Sequence, residues 1–139
     1  MFKYIEPEVS GGFGEKTELD NSVHPPVVKT LEYEFGGWLG NDIVETFPCY
    51  LVTQELKLAI EREKLSGIDF NDVIVTTNET FDELYPNTKL PKFYWMKTDG
   101  KAGEDDFGLG KDFRLVISSK VLGILDGFNV SECDFEDFL

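Results

Sequence analysis

The sequence predicts a single α+β domain over residues 1–139: a mixed β-sheet with helices packed on it, built around two repeated strand–helix–strand units. Three observations predict it. A continuous apolar run, Cys49–Val52, and a second buried-strand segment, Arg114–Ile117, are each followed by a hydroxyl residue and then by apolar residues at helical spacing. The two units superpose at an offset of 65 residues without a gap. Outside them lie separate stretches of apolar alternation, the period of half-buried strands.

Taken in order, Phe2–Ile5 is a short apolar stretch suited to an edge strand. Residues 10–22 are Gly-rich and polar and read as a flexible loop. Pro25–Pro26 makes a stiff extended lead-in. Val27–Phe35 follows as one strand, with Leu31, Tyr33 and Phe35 on the buried face and Thr30, Glu32 and Glu34 on an acidic outer face. A short apolar segment ends at Phe47, and Pro48 breaks the chain. Cys49–Val52 is a buried strand, and Thr53 is the N-cap of a helix because its hydroxyl can accept a first-turn N–H. Leu56, Ala59 and Ile60 mark the helix's inner face, and Gly67 follows its end.

Asp72–Thr77 is β-branched and reads as a strand. Thr80–Leu84 is a helical turn stopped by Pro86. Pro91–Lys97 alternates around Phe93 and Trp95, with Tyr94 and Met96 opposite. Thr98–Gly110 reads as a long Gly/acid loop. Arg114–Ile117 is the second buried strand, and Ser118 caps the second helix.

The offset of 65 places Tyr50-Leu51-Val52-Thr53 over Leu115-Val116-Ile117-Ser118, and Leu56, Ala59 and Ile60 over Val121, Ile124 and Leu125. Ser66, Asp69, Phe70 and Asp72 fall on the identical residues Ser131, Asp134, Phe135 and Asp137. Any two strand–helix units share apolar matches. The ungapped register and the shared Asp-Phe-x-Asp favour a true internal repeat. Phe70 and Phe135 begin return strands, the second cut short by the chain end at Leu139.

The charge balance bounds the partner. Asp and Glu number 27 against 13 Lys and Arg, a formal net charge of −14. Nucleic acid and anionic membranes share that sign and are repelled, whereas a basic protein is attracted and its encounter speeded. Acidity that serves solubility alone remains the plain alternative. Twelve Phe, five Tyr and two Trp argue that the charge sits on a folded body. Cys49 and Cys133 form no CxxC pair and lie among apolar residues, as buried thiols in a reducing compartment would. No apolar run reaches membrane-spanning length and the first residues lack a secretory signal, so a cytoplasmic location is expected.

Few residues carry recognisable chemistry. The loop Thr98–Gly110 gathers Asp99, Glu104, Asp105 and Asp106, whose mutual repulsion a basic partner would relieve. A solvated acidic turn is the alternative. Its spacing fails the Asp-x-Asp-x-Asp-Gly calcium loop, and the acids around Gly100, Gly103, Gly108 and Gly110 argue against a phosphate cradle. One histidine, His24, cannot assemble the usual zinc sets. No cofactor or metal is expected. Trp38, in a turn, is a candidate interface anchor or a core residue; Trp95, on a strand, suits the core.

The repeated unit, together with Gly37-Trp38-Leu39-Gly40-Asn41-Asp42, Phe47-Pro48-Cys49 and Gly103-Glu104-Asp105-Asp106-Phe107-Gly108-Leu109, resembles the immunity proteins of bacterial polymorphic toxin systems over residues 30–139. The resemblance implies a non-enzymatic protein that binds a cognate toxin domain and occludes its active site. The expected partner-binding residues are Trp38, Asp42, Asp99, Glu104, Asp105, Asp106 and Phe107. Two other readings stay open: an acidic regulatory or assembly module for another basic protein, and a small metal-dependent enzyme.

Overall fold

Apolar runs that end in a hydroxyl organise the molecule. In the computed structural model, which describes all 139 residues, Thr53 and Ser118 are both N-caps, each accepting the N–H of the third residue on, Leu56 and Val121. The chain begins with β1 (Lys3–Glu6), β2 (Gly11–Phe13), β3 (Glu18–Asp20), β4 (Val27–Thr30) and β5 (Glu32–Phe35). Next come β6 (Ile43–Thr46), β7 (Cys49–Thr53), α1 (Gln54–Arg62), β8 (Ile68–Asn71), β9 (Ile74–Thr77) and α2 (Glu79–Leu84). The last stretch holds β10 (Phe93–Thr98), β11 (Phe107–Leu109), β12 (Leu115–Ile117), α3 (Ser119–Leu125) and β13 (Asp134–Asp137), with one 3-10 turn at Lys111–Phe113. The class is α+β, and no helix is long and apolar enough to cross a membrane.

The internal repeat extends from sequence into topology. One four-stranded sheet runs β6-β7-β10-β8 and another runs β11-β12-β1-β13. Every neighbouring pair in both is antiparallel. In each unit the strands before and after the helix therefore run parallel to one another, separated by a third strand. The registers match as well. Met96 stands between Tyr50 and Phe70, and Ile5 stands between Leu115 and Phe135, the same two positions displaced by 65. What differs is where the third strand comes from: β10 follows its unit in the chain, whereas β1 is the N-terminus.

One core closes both units. Its twelve buried residues divide equally: Ile43, Tyr50, Val52, Leu56, Ile60 and Met96 from the first, and Phe107, Leu115, Ile117, Val121, Leu125 and Ile5 from the second. Burying a side chain of this size stabilises by about 1.5–3 kcal/mol before entropy is counted, so neither helix needs a strong intrinsic propensity. The opposite face of the first sheet carries Cys49, Leu51, Phe93 and Trp95. It is covered by Leu31, Tyr33 and Phe35 and by Phe81 of α2, a second core. The corresponding face of the second sheet is more polar. There the Arg114 guanidinium lies 3.8 Å over the Tyr4 ring and pairs with Glu136 at 2.8 Å and Glu6 at 3.5 Å.

Several expectations are corrected. β1 is a central strand, because β13 pairs on its outer side. Residues 10–22 are not a loop: β2 pairs with β5, and β3 pairs with β4. Gly11 is required there because a Cβ would stand 2.0 Å from the Glu34 carbonyl oxygen. Val27–Phe35 is two strands in different sheets. Glu32 is buried instead of facing solvent, and its carboxylate accepts the Lys16 N–H at 2.8 Å and the Thr76 hydroxyl at 2.6 Å. Thr98–Gly110 contains β11. The final strand, β13, has four residues like its counterpart β8, so the second return strand is as long as the first.

Candidate functional site

Asp42 and Asp106, both expected at an interface, are braces between the two units. Asp42 accepts the Thr53 hydroxyl at 2.8 Å with one oxygen and the Asn129 N–H at 2.8 Å with the other. Asp106 accepts the Ser118 hydroxyl at 2.7 Å with one oxygen, and the Ser66 N–H at 3.0 Å and hydroxyl at 3.3 Å with the other. Thr53 and Ser118 start the helices of their own units. Asn129 and Ser66 follow the helices of the opposite units. Each aspartate thus orients the cap of one helix and fastens the segment leaving the other. Burial pushes the Asp106 carboxyl up, but the Ser66 and Ser118 hydrogen bonds outweigh it and leave it below the ordinary value.

The rest of the Gly/acid loop is mostly spent on structure. Asp105 accepts the Lys101 N–H at 2.7 Å, and Lys101 pairs with Glu104 at 3.4 Å. Phe107 is only 2% exposed and belongs to the main core, so it cannot contact a partner. The loop lies flat because Gly108 has no side chain; a Cβ there would meet the Ala102 nitrogen at 2.3 Å. Asp99 and Glu104 are the two expected residues of this loop that face solvent.

Trp38 leads to a different place. Its indole N–H donates to the Asn41 carbonyl at 2.9 Å, and its ring packs edge-on against Phe93. It is half-buried, with its outer side on a shallow groove of about 390 Å³ whose other walls include Glu8, Val9, Leu39 and Tyr85. Val9 and Leu39 are 68% and 60% exposed. Tyr85 caps α2, whose Glu79, Asp82 and Glu83 are exposed. The groove therefore combines exposed apolar side chains with an acidic helix beside it.

Glu8 is the residue that sequence reasoning missed. It is 8% exposed. One carboxylate oxygen accepts the Leu39 N–H at 2.8 Å and the Ser10 hydroxyl. The other, Oε1, has no hydrogen-bond partner. Nothing in the local pattern around Pro7 and Val9 marks Glu8 as buried.

A second concavity of about 350 Å³ lies at the end of β10, walled by Pro25, Pro26, Pro48 and Leu109, with Asp69 and Asp99 beside it. Cys49 lies on its wall, and burial pushes that thiol up to about 12. It therefore remains a neutral thiol at physiological pH.

Glu45 supplies a measurable pH response. Burial, reinforced by Glu6, pushes its carboxyl up to about 7 from the ordinary 4.5. Folding therefore takes up a proton between those values. Stability falls as pH rises through that window and levels off above it. A rise of this size corresponds to about 3 kcal/mol, which solvent screening of a partly exposed side chain reduces to about 1 kcal/mol. Glu45→Gln should stabilise the protein by about that amount at pH 8 and flatten the slope between pH 5 and 7. Urea titrations across that range check it. An unchanged slope means another group is responsible.

Comparison with protein-family models, curated proteins and solved structures finds no match to this chain.

Proposed function

We propose that the protein is an immunity-type inhibitor that binds a basic protein, a cognate toxin domain, and occludes its active site. The observation that carries this reading is the Trp38 groove: exposed Val9 and Leu39 between two half-buried aromatics, beside the acidic α2, on a body of net charge −14. An apolar centre with a charged margin is the composition of a protein-binding hot spot, with aromatics as anchors. The net charge adds long-range steering of a basic partner, screened beyond about 8–10 Å at ordinary salt. This reading moves the interface from the Gly/acid loop, whose Asp105 and Asp106 are held within the chain, to the groove. Asp99 and Glu104 remain as outlying charges.

Calorimetric titration against the C-terminal domain of the protein encoded immediately upstream tests the function. Tight 1:1 binding is expected, with an association rate that falls as salt is raised. Leu39→Asp, an exposed change, should weaken binding at least about tenfold, the effect of roughly 1.4 kcal/mol. Binding indifferent to Leu39→Asp moves the interface elsewhere. A salt-independent rate removes charge steering, and no binding at all removes the toxin-inhibitor reading.

A further inference from the structure

We propose that the Trp38 groove is a receptor for one arginine side chain of the partner, whose guanidinium reaches the free carboxylate oxygen of Glu8 between the rings of Trp38 and Tyr85. The inference rests on the protein-binding reading and names what that site recognises. A carboxylate more than nine-tenths buried with one oxygen unpartnered is costly to maintain. The neighbours that hold its other oxygen are a backbone N–H and a hydroxyl, both neutral. No lysine or arginine pairs with it: the ion pairs of the molecule involve Lys3, Lys57, Lys101 and Arg114, each with another acid. Glu8 therefore has no cationic partner inside the fold, and it is one of the residues that line the groove.

The other walls suit a planar cation. Trp38 and Tyr85 offer aromatic surface, on which a guanidinium stacks with less loss of hydration than an ammonium. Gly37 lines the groove beside Tyr85, and a Cβ there would make only an ordinary 3.7 Å contact with its ring. Oε1 is sealed from water, so a guanidinium in the groove reaches it only when a wall side chain moves aside; Val9 and Leu39 are the exposed ones. Arginine fits better than lysine because its fork can donate to the oxygen while its plane lies against a ring.

The test titrates the whole protein with N-acetyl-arginine amide and, separately, with N-acetyl-citrulline amide, its neutral isostere, following the Leu39 backbone N–H and the Trp38 indole N–H by NMR. Saturable shifts of both are expected with arginine, with a dissociation constant on the order of 1–10 mM for a single side chain. Citrulline should bind at least about tenfold more weakly. Glu8→Gln should erase the difference between the two; if that variant fails to fold, the arginine-to-citrulline ratio on the unaltered protein decides alone. Equal binding of both probes, or no saturable shift with arginine, overturns the proposal. Should arginine fail while the upstream domain still binds, the receptor falls and the inhibitor reading stands. Should arginine bind while that domain does not, the receptor stands and the inhibitor reading falls.

Discussion

Replacing Asp106 with alanine should lower the free energy of unfolding by about 2–4 kcal/mol, and Asp42→Ala should cost nearly as much. Asp106 accepts three hydrogen bonds, from the Ser118 hydroxyl and from the N–H and hydroxyl of Ser66. Hydrogen bonds to a charged acceptor are each worth about 1.5–3 kcal/mol, less where water can replace them. Ser118 is itself the cap of α3, so its hydroxyl loses the partner that aims it, which adds up to about 1 kcal/mol. Asp42 has one hydrogen bond fewer, to Thr53 and Asn129, and sits in the equivalent place. Denaturant titration at pH 7 measures both losses.

The same carboxylate gives a pH signature. The Asp106 carboxyl is lowered in the folded state, so its contribution is complete above the ordinary 3.8 and disappears as pH falls through the folded value. Wild type and Asp106→Asn should differ most at neutral pH and converge below about pH 4. A loss under about 0.5 kcal/mol at neutral pH, the range of ordinary surface substitutions, would mean that the two units hold together without this brace.

The parts of the fold that can be read from sequence are those set by local periodicity. The apolar runs into Thr53 and Ser118 specify strand, cap and helix within about ten residues, and the offset of 65 carries over to register. Non-local pairing is where the reading fails. Nothing in Phe2–Ile5 says that β13, more than a hundred residues on, will take its outer edge. The strand at Gly11–Phe13 hides behind glycines that are there because another backbone passes close by. The acids mislead in a similar way. An aspartate that caps and one that binds a partner look alike until its neighbours are known. A sequence signal for the braces existed: Asp42 and Asp106 stand eleven and twelve residues before Thr53 and Ser118. The one-residue difference in turn length offsets them by 64, so the ungapped comparison passes over the pair.

Phe107 is the sharpest case of a residue expected at an interface and found in the core, and it carries the largest expected single-site effect. Phe107→Ala should cost about 3–5 kcal/mol, the range for truncating a buried aromatic. The ring occupies the position that Ile43 fills in the other unit, and both contribute to the shared core. Its strand position is held from the backbone side too. Gly67 and Gly100 approach so closely that a Cβ on either would stand 2.2 Å or 2.1 Å from the Phe107 carbonyl oxygen, and Gly67 has φ +87°. These contacts fix the backbone of β11, so the strand is held in place and does not shift into the space the ring leaves, which favours the upper end of the range. An interface residue would behave oppositely, with stability unchanged and partner affinity reduced. Glu104→Ala, at an exposed position three residues away, should change stability by no more than about 0.5 kcal/mol. Thermal unfolding of the two variants side by side separates the cases. A stable Phe107→Ala protein would return the Gly/acid loop to the interface. An unstable one leaves the groove at Trp38 as the surface to test.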